Sequence, residues 1–179
     1  MGDVFIERMV KKKFDTKDIL IIVGIVLAVM VLMPILLLLS MQYGLFMIGL
    51  LAAAGLVFGG YKLLTMRMLE YEYSLTNGYI SIDKIMNRSS RKRMTAFECS
   101  SAEDIGVYTQ AEARLKNRSF DSRIFAVRTA ACEGSWYMIV QSSKTGKTLV
   151  VFDPDEDLQE AIKKFIPRTH KFEVFGRNS

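Results

Sequence analysis

The chain is poor in reactive side chains. It has one histidine, His170, and two cysteines, Cys99 and Cys132, among 179 residues. A lone imidazole near the C-terminal end excludes His-based triads and multi-histidine metal sites, and no metal or other cofactor is expected. The cysteines stand far apart and form no C-x-x-C pair, so a dithiol redox centre is not encoded. The larger absence is of charge. From Ile19 to Tyr61, 43 residues in a row, there is no Asp, Glu, Lys, Arg or His. A soluble helix of that length needs a polar face, and this stretch offers none.

One crossing of the hydrocarbon core takes about 20 apolar residues, so 19–61 predicts two spans, at 19–39 and 44–61, joined by Ser40-Met41-Gln42-Tyr43. A cleavable signal peptide is not expected: the first run is too long, lacks an A-x-A site and leads straight into a second run. Ile6 stands where a myristoylation motif requires Ser or Thr. Arg8, Lys11, Lys12, Lys13 and Lys17 precede the spans and Lys62 and Arg67 follow them, while the connecting loop is uncharged. Cations stay on the cytoplasmic side, so the expected location is a cell membrane, crossed twice, with both termini in the cytoplasm. The cysteines then lie in a reducing compartment and are expected to be free thiols.

With no ionisable residue inside either span, a proton relay or ion pathway is excluded. Gly24-xxx-Ala28 and Gly55-xxx-Gly59 are the candidate packing positions, either within the hairpin or between copies as a homo-oligomer. Ahead of the spans, Phe5, Ile6, Met9, Val10 and Phe14 fall at helical spacing among cations. This reads either as a helix lying in the membrane interface or as a basic lead-in that only sets topology.

The remainder predicts short strands at 69–76, 79–85, 94–99, 105–109, 123–129, 136–142 and 147–152. Asn77-Gly78 is a type I′ hairpin signal. A helix follows, with Asp153 as cap, Pro154 at its first position, an apolar stripe of Leu158, Ala161, Ile162, Phe165 and Ile166, and Pro167 as its stop. Residues 171–175 add a short extended segment within a loose tail.

The wording Tyr73-Ser-Leu75-Thr76-Asn-Gly-Tyr-Ile80-Ser-Ile82, placed after an apolar hairpin, resembles the opening of bacterial pleckstrin-homology-like domains, and Asp104-Ile-Gly-Val-Tyr108 echoes a later strand. The resemblance covers about 68–167 and departs from the pattern in the long polar 110–122 loop. It implies a seven-stranded antiparallel β-barrel or sandwich capped by a C-terminal helix, an α+β cytoplasmic domain behind a membrane hairpin. It implies no particular ligand. The expected organisation is a cytoplasmic lead-in (1–18), a transmembrane hairpin (19–61), the PH-like domain (62–167) and a tail (168–179).

If the strands run up and down, successive loops alternate between two ends. Loops 86–93, 110–122 and 143–146, on the end nearest the second span, sum to +6, and loops 100–104, 130–135 and 153–157 sum to −7. The expected lipid-facing cations are Arg88, Arg91, Lys92, Arg93, Arg114, Lys116, Arg118, Lys144 and Lys147, turned toward anionic inner-leaflet lipids. Arg91 and Arg93 are candidate bidentate donors to a headgroup. Nucleic acid is not an expected partner, because no aromatic platform interleaves with 86–93. Thr145-Gly146-Lys147-Thr148 resembles a phosphate-loop fragment, but Gln141 replaces its first glycine and the fragment joins two strands. The function expected is a non-enzymatic membrane-anchored interaction module with an unidentified protein partner, or alternatively a sensor of anionic lipid headgroups.

Overall fold

The computed structural model describes residues 4–87, 89–167 and 169. The chain forms two compact units, one over Phe14–Leu69 and one from the segments on either side of it.

The first unit is a helical pair. Helix α1, Thr16–Gln42, opens on a capping box in which the Asp15 side chain accepts from Thr16 N at 2.8 Å and Asp18 reaches back to Asp15 N. The chain reverses at Gly44, whose φ of +66° suits a residue without Cβ, and helix α2 runs over Phe46–Thr65. Both helices are long and apolar enough to cross a membrane. At 1.5 Å per residue, α2 alone is about 30 Å long. Arg67 lies 3.9 Å from Asp18, so the start of α1 and the end of α2 share one end of the pair.

The helices do not pack through the small residues singled out in the sequence. A Cβ built on Gly24, Gly55 or Gly59 meets open space, and Ala28 is exposed. Contact runs instead through Gly49, Ala53 and Gly60. A Cβ at Gly49 would fall on Ser40, and one at Gly60 would come within 2.8 Å of Val29 Cγ2. Gly49-xxx-Ala53 is thus the small-residue pair that brings the backbones together.

Among the described residues, the second unit holds eight strands in two sheets rather than one seven-stranded barrel, and neither sheet closes. Sheet A has the order β1-β2-β3-β4, from β1 (Phe5–Lys11), β2 (Leu69–Thr76), β3 (Tyr79–Met86) and β4 (Ser90–Glu98). Sheet B has the order β5-β7-β8-β6, from β5 (Ala102–Val107), β6 (Ser122–Ala126), β7 (Trp136–Ser142) and β8 (Gly146–Phe152). Strand β6 runs parallel to β8, which ends the simple up-and-down order assumed from sequence. The hairpin expected at Asn77-Gly78 is present, with φ positive at both residues as a type I′ turn requires.

Two elements were not foreseen. The supposed interfacial helix is the edge strand β1: Ile6, Arg8 and Val10 alternate inward while Phe5, Glu7, Met9 and Lys11 point out. It pairs antiparallel with β2, Phe5 opposite Thr76 and Lys11 opposite Glu70. The 110–122 loop is largely helix α3, Tyr108–Lys116.

The inner faces of the two sheets enclose one core, with Tyr73, Leu75, Ile80, Ile82, Met138, Val150 and Phe152 at its centre. Helix α4, Glu156–Phe165, adds Leu158, Ala161 and Ile162 to it. Its cap is Asp155, accepting from Leu158 N at 3.0 Å, and not Asp153, which accepts from Arg128 N. The Tyr73 ring meets Phe152 edge-on at 5.8 Å and its hydroxyl donates to the Ala126 carbonyl, joining the sheets at a buried point. A second apolar layer, Tyr108, Ala111 and Leu115 of α3 against Tyr137, Ile139, Leu149 and Val151, covers the far face of sheet B.

Candidate functional site

The basic run that opened β4 divides by strand alternation into two sets with different surroundings. Arg91 and Arg93 lie on the outward face of sheet A, beside two carboxylates that are almost wholly buried, Glu72 (4 % exposed) and Asp83 (2 %). Arg91 donates from Nε to Asp83 at 2.7 Å and from Nη2 to Glu72. Arg93 Nε donates to Asp83 at 2.9 Å and its Nη2 to the same carboxylate at 3.3 Å. Contact with Asp83 raises the Arg93 pKa still further, so the guanidinium stays charged throughout the working pH range. Forks so engaged satisfy buried acids, and the expectation that Arg91 and Arg93 stand free to clasp a headgroup is corrected on that ground.

The two-ended sorting of charge is corrected as well. Helix α3 carries Arg114 back over β5, where it meets Asp104 at 2.9 Å. Arg118 and Lys147 both reach Glu103, at 3.3 and 2.6 Å. Lys116 pairs with Glu112 one turn earlier, at 2.9 Å. Cations and carboxylates assigned to opposite ends are therefore partners on one surface. Tyr137 joins them: its hydroxyl donates to Asp104 at 3.0 Å and accepts from Arg114 at 2.6 Å, and burial beside Asp104 pushes its pKa up to about 12. Arg123, at the start of β6, closes the C-terminus of α3 by donating to the carbonyls of Leu115, Lys116 and Arg118.

What remains is a set of lysines. Lys84 and Lys92 are directly opposite each other in the β3–β4 register, on the face away from Arg91 and Arg93. Like charges in that relation repel. Among the described residues, neither has an ion-pair partner. Lys144, in the β7–β8 turn, donates from Nζ to the Arg93 carbonyl at 3.0 Å, which brings its charge to the same stretch of β4. Lys92 and Lys144 were named from sequence. Lys84 was not, because its significance comes from strand register. Arg88 and His170 lie outside the described residues.

The thiols are shielded. Cys99 is buried and its pKa is pushed up to about 12 by loss of solvation, and burial raises Cys132 too. Among the described residues no three His, Cys, Asp or Glu side chains gather as a metal site.

Two packed sheets with a C-terminal helix in their shared core, carrying an apolar helical pair between the first two strands, define a PH-like domain with an inserted helical hairpin. The chain belongs to the bacterial PH-like domain (DUF6106) family, whose match extends over residues 2–172 and so takes in β1 and both helices as well as the sheets. No curated protein and no solved structure matches it.

Proposed function

We propose that this protein is a non-enzymatic, membrane-anchored interaction module. In this reading α1 and α2 cross the bacterial cell membrane as a hairpin, and the PH-like unit presents its surface to a protein partner in the cytoplasm. The observation that carries the reading is the place of the helical pair in the chain, between two strands that pair with each other. Because Lys11 stands opposite Glu70, the chain departs for the helices and returns from them at neighbouring points of one sheet. A pair of spanning helices joined in this way has both outer ends on one side of the bilayer, which agrees with the cations around Arg8–Lys17 and at Lys62 and Arg67 and the uncharged turn between them. The shielded thiols favour binding over nucleophilic chemistry.

For the partner, the outward face of sheet A offers Phe5 (64 % exposed), Met9 (63 %) and Tyr79 (45 %), large apolar side chains set among the Glu72–Arg91–Asp83–Arg93 network. Apolar anchors ringed by polar groups suit a protein interface. The test is a photo-crosslinking residue at Phe5, Met9 or Tyr79 of the full chain in native membranes. A discrete protein adduct from these positions, lost when Met9 and Tyr79 become Ala and Ser, is expected. Adducts with lipid alone would favour the lipid-sensing alternative.

A further inference from the structure

The lysines left over from the ion-pair network point to a second surface. Strand β3 is joined to β2 by a two-residue turn, so the far end of β3 returns to the end of sheet A where Lys11 and Glu70 lie. Lys84 and Lys92 are near that end, and Lys144 joins them through its bond to the Arg93 carbonyl. Beyond the lysines the β3–β4 hairpin carries partly exposed Ile85 and Met86. Three cations beside apolar residues, without carboxylate partners among the described residues, sit at the end of the domain from which both covalent connections to the helical pair depart. Two lysines held opposite each other in a ladder repel, and an anion bound between them would relieve that repulsion.

We propose that Lys84, Lys92 and Lys144 form a contact patch for the anionic headgroups of the bilayer that holds α1 and α2. This rests on the membrane-anchor reading and changes its detail: lysines make the contact, while Arg91 and Arg93 build the domain. Ammonium groups on flexible stems suit a diffuse, fluid array of phosphates, where no fixed bidentate geometry exists to be matched.

The experiment uses the full chain in lipid nanodiscs of phosphatidylcholine, with or without phosphatidylglycerol, and a water-soluble acylating reagent read residue by residue by mass spectrometry. Acylation of Lys84, Lys92 and Lys144 is expected to slow several-fold in the anionic discs and to recover at about 1 M salt, where the screening length is about 3 Å. Lys163 and Lys164 serve as internal controls. They lie at the end of α4 whose Phe165 packs on Gly78, at the opposite end of sheet A, and their rates are expected not to change with lipid. Equal rates for the three lysines in both kinds of disc overturn the patch and leave the anchor standing. Equal protection by soluble glycerol phosphate in neutral discs also overturns it, in favour of a small-anion site. Failure of the chain to enter discs overturns both readings.

A second variant keeps the test independent of labelling. Lys84→Gln/Lys92→Gln is expected to melt higher than the parent chain in neutral discs, where the repulsion is relieved, and to lose the parent's rise in Tm on adding phosphatidylglycerol. A variant that keeps that rise overturns the patch.

Discussion

Arg91 Nε lies 2.7 Å from Asp83 Oδ2, an arginine half open to solvent holding a carboxylate that is almost wholly closed off from it. The same guanidinium also reaches Glu72. Removing it leaves a buried acid short of its donors, which is costlier than the net value of the bond. Arg91→Ala is therefore expected to destabilise the domain by roughly 1–3 kcal/mol. Adding Glu72→Gln to that variant should recover part of the loss. Thermal unfolding of the full chain in detergent measures both, and an unchanged Tm for Arg91→Ala would return this side chain to the pool of free surface cations.

Alkaline stability should depend on Cys99. Its pKa rises from an ordinary value near 9 to about 12 through burial, so the folded state resists deprotonation that the unfolded chain accepts. A folded pKa above the unfolded one gives stability that is whole below about pH 9 and is lost as pH climbs toward 12. Within that window the slope for one such group is about 1.4 kcal/mol per pH unit. Tyr137, also raised to about 12, adds to the loss above its own ordinary value of 10. Denaturant midpoints from pH 8 to 11 should fall more gently in Cys99→Ala than in the parent, whatever the cost of the substitution at pH 8. Alkylation of Cys99 at pH 8 should require unfolding.

The helical pair sets up a contrast between adjacent glycines. A Cβ at Gly60 would come within 2.8 Å of Val29 Cγ2, whereas one at Gly59 has no atom of the described residues within 4 Å. Gly60→Leu is expected to separate α1 from α2, and Gly59→Leu to leave their packing intact. A disulfide engineered between the helices, scored by gel mobility, reads this out. Should Gly55→Leu or Gly59→Leu alter the oligomeric state instead, measured by light scattering in detergent, the outward glycines belong to a contact between copies.

Strand β1 is fastened by a clamp at its middle. Arg8 reaches both Asp155, the cap of α4, and Asp157 in its first turn. Arg8→Ala should speed amide exchange across Phe5–Lys11 relative to Ser81–Ile85, with little change elsewhere in sheet A. Uniform exchange across the sheet in both proteins would show that the ladder to β2 suffices to hold the strand.

The elements legible in the sequence are those specified locally. Asn77-Gly78 sets its own turn, the uncharged stretch 19–61 declares an apolar pair, and the stripe through Leu158 and Ile162 declares α4. Strand β1 reads as a helix in the sequence because Phe5, Ile6, Met9 and Val10 fall at helical spacing, whereas the strand splits them between its two faces and its partner strand lies beyond the whole helical pair. Helix α3 carries Tyr108, Ala111 and Leu115 at helical spacing, but polar residues between them disguise the stripe. The charges misled for a related reason. Their signs are written in the chain, whereas the pairings of Glu103, Asp104 and Asp83 are made by a helix and a strand register that only the fold supplies.

The pairing of Phe5 with Thr76 sets an order of events in the making of this protein. Strand β1 leaves the ribosome before both helices, and its ladder cannot form until they and the start of β2 have followed it. If the helices insert as a hairpin, the sheet closes only when both crossings are complete and the returning strand emerges on the side where β1 has waited. A chain whose second helix failed to cross would leave β1 unpaired and its amides open to exchange. Under that condition, completion of the first sheet reports that both helices have crossed.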